Sequence, residues 1–333
     1  MAANRALLYC AGGGIGDSLV ASVVARALHQ RFDAVDALTL PGHVSVLERV
    51  PDLDGVLVDD GGDERALARR LAREEYDACI VTWATARTAR VAHLAAIPVR
   101  VGQARRFYSF RFTDRVVVRS EEGDVTSHWS DILLDYARAI GCDTNDRRYR
   151  FLPTARDECE AGELSAGPEP FVILNPCNAV ASRCDLWPLE GWAALAIALR
   201  NRFRARVLVT GSAADAPIAE GIARLAGDDG IGAIAGKTSV GAFGALARRA
   251  RAFVGITTGS MHVAAAVGAP TVGIFPFQSD FPERWAPVGA RTAVVRASYP
   301  CHAGDTKERC TDYACIANLD VSRILAAVAS LLA

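Results

Sequence analysis

The sequence predicts an α/β protein made of two doubly wound parallel-sheet domains in tandem, and three observations carry that prediction. Short β-branched runs alternate with helical stretches, the pattern of parallel sheets flanked by helices. The rhythm breaks once, at the polar, acidic, proline-marked stretch "CDTNDRRYRFLPTARDECEAGELSAGPEP" over 142–170, and then restarts. The chain has 333 residues, and single cores rarely grow past roughly 250–300.

In the first half, strands are predicted over 6–10, 37–40, 55–58, 78–81, 99–102 and 115–118, with helices over 17–30, 63–73 and 127–140. The polar stretch reads as a linker holding one short helix. After it, strands are predicted over 171–174, 206–210, 233–235, 252–255, 271–275 and 292–295, with helices over 189–202, 214–226, 240–249 and 260–267. Such open sheets bind ligands at the carboxyl ends of their strands, so the expected site is a cleft between the two domains.

Hydrophobic residues make up 51% and the formal net charge is −1, which gives ample core and argues against a nucleic-acid binder, normally marked by a basic face. The basic residues are almost all arginine; Lys237 and Lys307 are the only lysines. No segment approaches the ~20 apolar residues of a membrane span. The apolar run over 6–11 is too short for a signal peptide, so the sequence reads as cytoplasmic. Nine cysteines, an odd number scattered mostly in apolar runs, favour buried free thiols over a disulfide framework.

"AGGGIGDSLVASVVARAL", beginning at Ala11, is a glycine turn between strand and helix. It misses the dinucleotide fingerprint: Gly12 and Gly14 lack a glycine at the sixth position, and the second strand ends "TLPG" without a ribose-binding acid. Asp17 suits a helix N-cap, and it equally suits a general base facing the cleft. The glycines, Gly14 and Gly16 among them, would then let a substrate approach the backbone.

The second half carries the sharper signal. "VGITTGSMHVAAAVGAPTVGIF" reads as strand, turn, helix, stop and strand. Its corner over 257–262 offers hydroxyls, backbone N–H groups and a positive helix end, all suited to a diphosphate. Ser260 as a cap with His262 in a buried hydrogen bond explains the same residues without a ligand. Asp215 in "VTGSAAD" is placed to take a ribose hydroxyl or simply to start a helix. Lys237 in "IAGKTSV" stands in a glycine-threonine loop, where it either meets phosphate or is solvated.

With these residues in view, the chain resembles the family 9 glycosyltransferases, the heptosyltransferases that use ADP-heptose to build the lipopolysaccharide core. The resemblance runs over nearly the whole length. It rests on "GGGIGDSLVASVVARAL", "SRCDLWPLEGWAALAIAL", "VTGSAAD", "IAGKTSVGAFGAL" and "TGSMHVAAAVGAPTVGIFPF". It implies a GT-B fold of two Rossmann-like domains: an acceptor domain over 1–165, a nucleotide-sugar domain over 166–317, and a final helix over 318–333 packing back on the first.

By position, the resemblance implies Asp17 as the base of an inverting transfer, with Gly14, Gly16 and His128 on the acceptor side. On the donor side it implies Arg183, Asp215, Lys237, Thr238, Thr257, Thr258, Gly259, Ser260, Met261 and His262. No metal or other cofactor is implied, only the nucleotide-sugar donor and a glycan or lipopolysaccharide acceptor at the cytoplasmic face of the inner membrane. Cys301, Cys310 and Cys315, with His302, lack the paired spacing of strong zinc signatures and read mainly as free thiols or a loop disulfide.

Two positions depart from the family pattern. Asp185 stands where a phosphate-contacting lysine is usual, and Thr257 where an aspartate is common. Arg183 and Lys237 are the candidate replacement cations. The departures leave a catalytically degenerate nucleotide-sugar-binding homologue as the alternative, with a nicotinamide-dependent enzyme behind it. The arginine-rich segment over 82–112 suits an anionic saccharide or lipid head group on the acceptor side.

Overall fold

A computed structural model describes residues 4–176, 187–277, 281–300 and 314–333. The chain divides into two compact units, Met1–Leu152 and Pro153–Ala333. In the first unit the order is β1 (Arg5–Tyr9), α1 (Ile15–Leu28), β2 (Ala34–Thr39), α2 (Val44–Leu47), β3 (Gly55–Val58), α3 (Glu64–Ala72), β4 (Ala78–Val81), α4 (Ala86–Leu94), β5 (Val99–Gln103), β6 (Asp114–Val116) and α5 (Trp129–Arg138). Its described strands form one parallel sheet in the order β3-β2-β1-β4-β5-β6. The central strands β1 and β4 are covered on both faces, which is why "ALLY" and "ACIV" read as unbroken apolar runs.

The second unit runs α6 (Ala155–Ser165), β7 (Phe171–Asn175), α7 (Leu189–Phe203), β8 (Arg206–Val209), α8 (Ala216–Ala226), β9 (Ile231–Ala233), α9 (Val240–Arg249), β10 (Ala252–Ile256), α10 (Gly259–Ala266), β11 (Thr271–Phe275), α11 (Pro282–Trp285), β12 (Thr292–Arg296), α12 (Ala314–Ala317) and α13 (Val321–Leu332). Its parallel sheet has the order β12-β11-β10-β7-β8-β9. Both sheets are therefore doubly wound, and each reverses direction once: between β1 and β4 in the first unit, and between β7 and β10 in the second. Ligand sites of open α/β sheets lie outside the carboxyl ends of the strands at that reversal.

Several boundaries differ from the sequence reading. The short helix of the polar stretch, α6, belongs to the second unit rather than ending the first. Its Thr154–Asp157 cap starts it cleanly, and Glu158 pairs with Arg248 and Arg249 of α9, each at 2.8 Å. The final helix α13, expected on the first unit, lays Ile324 and Val328 into the core of the second. Strand β9 ends two residues early, because the chain turns so that Gly236 N–H reaches Gly211 O at 3.0 Å. Helix α4 went unread because arginines interrupt its apolar face, yet Thr85 caps it by accepting the Thr88 N–H.

Candidate functional site

The turn between β1 and α1 sits at the reversal of the first sheet. Gly13 takes φ +68°, a left-handed conformation that favours glycine. A Cβ on Gly12 would land inside the indole of Trp83, which follows β4 across the reversal. Gly14 is the N-cap of α1, so Asp17 stands at the third helical position rather than at the cap. From there Asp17 reaches back, and its Oδ2 accepts the Gly14 N–H at 2.7 Å. Gly16 is buried inside the first turn of the helix.

Asp17 shares a narrow depression with Cys10, Gly12, Ser18, Ala21, Thr82, Trp83, Trp129 and Leu133. Trp83 and Trp129 meet edge to face, their centroids 6.4 Å apart at 68°. Burial in this setting pushes the Asp17 carboxyl above its ordinary value, opposed by the Gly14 N–H and, less strongly, by the charge of His43. His43 is buried in turn, its Nδ1 2.8 Å from Ser18 Oγ, and burial lowers its pKa. A half-buried carboxylate with a raised pKa, fixed by a backbone donor and walled by two indoles, can receive a proton from a hydroxyl held beside it.

His128 caps α5, its Nδ1 accepting the Ser130 N–H at 3.1 Å. The next residue, Trp129, is the one that reaches the depression. Neither tryptophan, nor His43, was picked out from the sequence. The available signal was Gly12 itself, a glycine with negative φ whose missing side chain makes room for an aromatic ring.

The reversal of the second sheet lies between Asn175, ending β7, and the start of α10. Asn175 is buried; its Nδ2 donates to Thr210 Oγ1 at 2.9 Å, while its Oδ1 has no hydrogen-bond partner among the described residues. Thr258 is the N-cap of α10, yet its hydroxyl makes no capping bond and is likewise buried without a hydrogen-bond partner among the described residues. Gly259 and Ser260 open the helix, where backbone N–H groups lack intrahelical acceptors. Thr257 stays in the ladder, its N–H donating to Ile274 O at 3.1 Å. His262 is buried in the first turn. Met261, expected on the donor side, packs its side chain into the core against Gly273, where a Cβ would lie 2.6 Å from its Sδ.

Asp215 ends the 3-10 turn Ala213–Asp215, and its Oδ2 accepts from Ser212 N–H at 2.7 Å and from Ser212 Oγ at 2.6 Å. The Lys237 loop is tied to this turn by the Gly236–Gly211 hydrogen bond, and Gly236 has φ +75° with no room for a side chain over Ala213. Lys237 is exposed and Thr238 half-buried beside it. So Asp215 and Lys237 belong to one polar corner. Arg183 and Asp185 lie outside the described residues, as do Cys301, His302 and Cys310. Cys315 is a free thiol buried in the second core, and among the described residues no three His, Cys, Asp or Glu side chains gather as a metal site would need.

The model of "Glycosyltransferase family 9 (heptosyltransferase)" matches residues 64–314, well over half of the chain. Among solved structures, the chain is similar to the ADP-heptose lipopolysaccharide heptosyltransferase II of E. coli, with TM-score 0.79, 19% identity and 98% of each chain covered. A family 9 glycosyl transferase from Veillonella parvula DSM 2008 aligns with TM-score 0.84 and 18% identity, covering 99% of this chain and 97% of its own. The E. coli heptosyltransferase WaaC with ADP gives TM-score 0.74 and 16% identity over 98% and 99%. These likenesses agree with a GT-B fold, and they lend no support to the degenerate alternative. A search of curated proteins finds no match.

Proposed function

Since the chain belongs to glycosyltransferase family 9, we propose that it moves a sugar, heptose first among the candidates, from a nucleoside-diphosphate donor to a hydroxyl of a lipopolysaccharide-core or related bacterial glycan. The observation that carries the reading is Asp17, held by the Gly14 N–H at 2.7 Å and pushed up in pKa by burial.

Asp17 takes the proton of the acceptor hydroxyl as that oxygen attacks the anomeric carbon. The new C–O bond forms as the bond to the diphosphate breaks from the opposite side, so configuration inverts. The leaving nucleoside diphosphate carries off the electron pair. Its charge is met by the Gly259–Ser260 backbone at the start of α10, by the idle Thr258 hydroxyl and by Lys237. Asp215 keeps one carboxylate oxygen on Ser212 and offers the other to the ribose. ADP is the first nucleotide to test, because E. coli WaaC was solved with it. The scheme draws on no metal. The protein would act at the cytoplasmic face of the inner membrane, where a lipid-linked acceptor would be presented.

The test is turnover of a panel of ADP-, UDP- and GDP-sugars with lipopolysaccharide core oligosaccharides. The reading requires nucleotide release that depends on both donor and acceptor. Nucleotide binding with no transfer from any donor would defeat it.

A further inference from the structure

Two of the most exposed aromatic side chains among the described residues stand on one turn. Phe107 is 80% exposed and Phe110 64%, both in the connection over 104–112 between β5 and β6. The turn is not loose. Tyr108 is buried beneath it and donates its hydroxyl to Ala84 O at 2.6 Å; Ser109 Oγ donates to Gln103 O at 2.7 Å and accepts the Arg106 N–H at 3.0 Å. Arg105 is held at φ +59°. A turn pinned this firmly could have buried an aromatic ring, yet it presents two to solvent. Exposed apolar groups clustered this way mark a surface that something else covers.

Arginine surrounds the pair. Arg105 and Arg106 immediately precede Phe107, and Arg111 stacks its guanidinium 4.3 Å from the Phe110 ring centroid. Between residues 99 and 123 the chain places six arginines (100, 105, 106, 111, 115, 119) against three acids (114, 121, 122), in a protein whose formal net charge is −1. Glu122 holds Arg105 at 2.9 Å and Glu121 holds Arg106, but these ion pairs are solvent-exposed, weak, and readily exchanged for phosphate. Arginine beside protruding aromatic rings suits the boundary between anionic head groups and acyl chains.

The position of the turn gives it a use. It follows the carboxyl end of β5, the sheet edge that also carries Asp17 after β1 and Trp83 after β4. The Tyr108–Ala84 bond joins it directly to the loop bearing Trp83.

We propose that the 104–112 turn docks the first unit on an anionic lipid bilayer, Phe107 and Phe110 entering the interface while Arg105, Arg106 and Arg111 meet head-group phosphates. Docking there brings the Asp17 edge of the sheet to glycans that stand on the membrane surface. The inference rests on the proposed lipid-linked acceptor, and it names the surface that meets the lipid.

The test is co-sedimentation with vesicles of phosphatidylethanolamine and phosphatidylglycerol, against pure phosphatidylcholine, for the wild-type chain and the double variant Phe107→Ser/Phe110→Ser. The wild type is expected to partition onto the anionic vesicles and to leave them as salt rises. The double variant should lose about tenfold or more in partition, as expected when two large apolar side chains are withdrawn from the interface. Its melting temperature and its transfer to soluble, deacylated core oligosaccharide should not fall. Failure of the wild type to bind anionic vesicles, or equal binding by the double variant, overturns the proposal. So does a wild-type dimer, measured by sedimentation velocity, that the double variant dissociates, because the patch would then be covered by a second copy. Vesicle binding lost in the double variant, with no transfer to any soluble acceptor by either protein, upholds the docking surface and removes the transferase reading.

Discussion

Asp17 Oδ2 and the Gly14 N–H are 2.7 Å apart, so the carboxylate at the third position of α1 is fixed by the turn that introduces it. That bond makes Asp17→Asn an informative substitution, because an amide oxygen can accept from Gly14 in the same way but the side chain cannot take a proton. We expect the fold and ADP affinity to be kept and kcat to fall by ~10²–10⁴, the usual contribution of a positioned base. Steady-state kinetics alongside calorimetric ADP binding would check both halves.

The raised pKa of Asp17 gives a pH dependence whose sign can be worked out. Its carboxyl is shifted above the ordinary value of 3.8 by burial, so the folded state favours the protonated form. The stability this contributes is fully present below the unfolded pKa and is lost as pH rises through the folded value. Asp17→Asn should therefore melt higher than wild type at neutral pH, with the difference shrinking below about pH 4. Transfer should run the other way, rising with pH as the base ionises. Thermal melts over a pH series, with parallel rates, would reveal this opposition between stability and activity.

The Trp83 indole fills the space that a Cβ on Gly12 would need. Gly12→Ala must displace the indole and should cost about 1–3 kcal/mol, as overpacking does. In the Trp83→Leu background the same change should cost much less. A double-mutant cycle on thermal stability measures the coupling, and additive effects would mean that the ring moves aside freely.

Thr258 offers a different signature. Its hydroxyl is buried with no hydrogen-bond partner among the described residues, so Thr258→Val should leave stability unchanged or raise it slightly. If that hydroxyl serves a diphosphate, ADP affinity falls about tenfold, as for one hydrogen bond to a charged group. Destabilisation with unchanged ADP binding would assign Thr258 to the fold alone.

The architecture was legible because both sheets are buried on two faces and so write themselves as apolar runs between helices. Val240–Arg249 and Thr271–Phe275 fall where the pattern puts them. Helix α4 was not legible, since Arg87 and Arg90 interrupt its periodicity to pair with Asp59 and Glu64, partners that only the fold brings near. Asp17 stood out as a candidate because it follows a glycine turn, and the family resemblance, not the turn, pointed to a base. Trp83 and Trp129 did not, because they stand 66 and 112 residues along the chain from Asp17, and no spacing rule links them to it. Met261 is a different case: it sits within a polar motif, yet helical geometry turns its side chain into the core.

The most direct test of the account is ADP release from ADP-heptose in the presence of deacylated lipopolysaccharide core oligosaccharide, with wild type and Asp17→Asn compared at saturating donor. The account predicts acceptor-dependent release by the wild type, a β- or α-linked product of configuration opposite to the donor, and a rate at least about a hundredfold lower for Asp17→Asn with ADP affinity unchanged. Equal rates for the two proteins, or a product that retains the donor configuration, would contradict it.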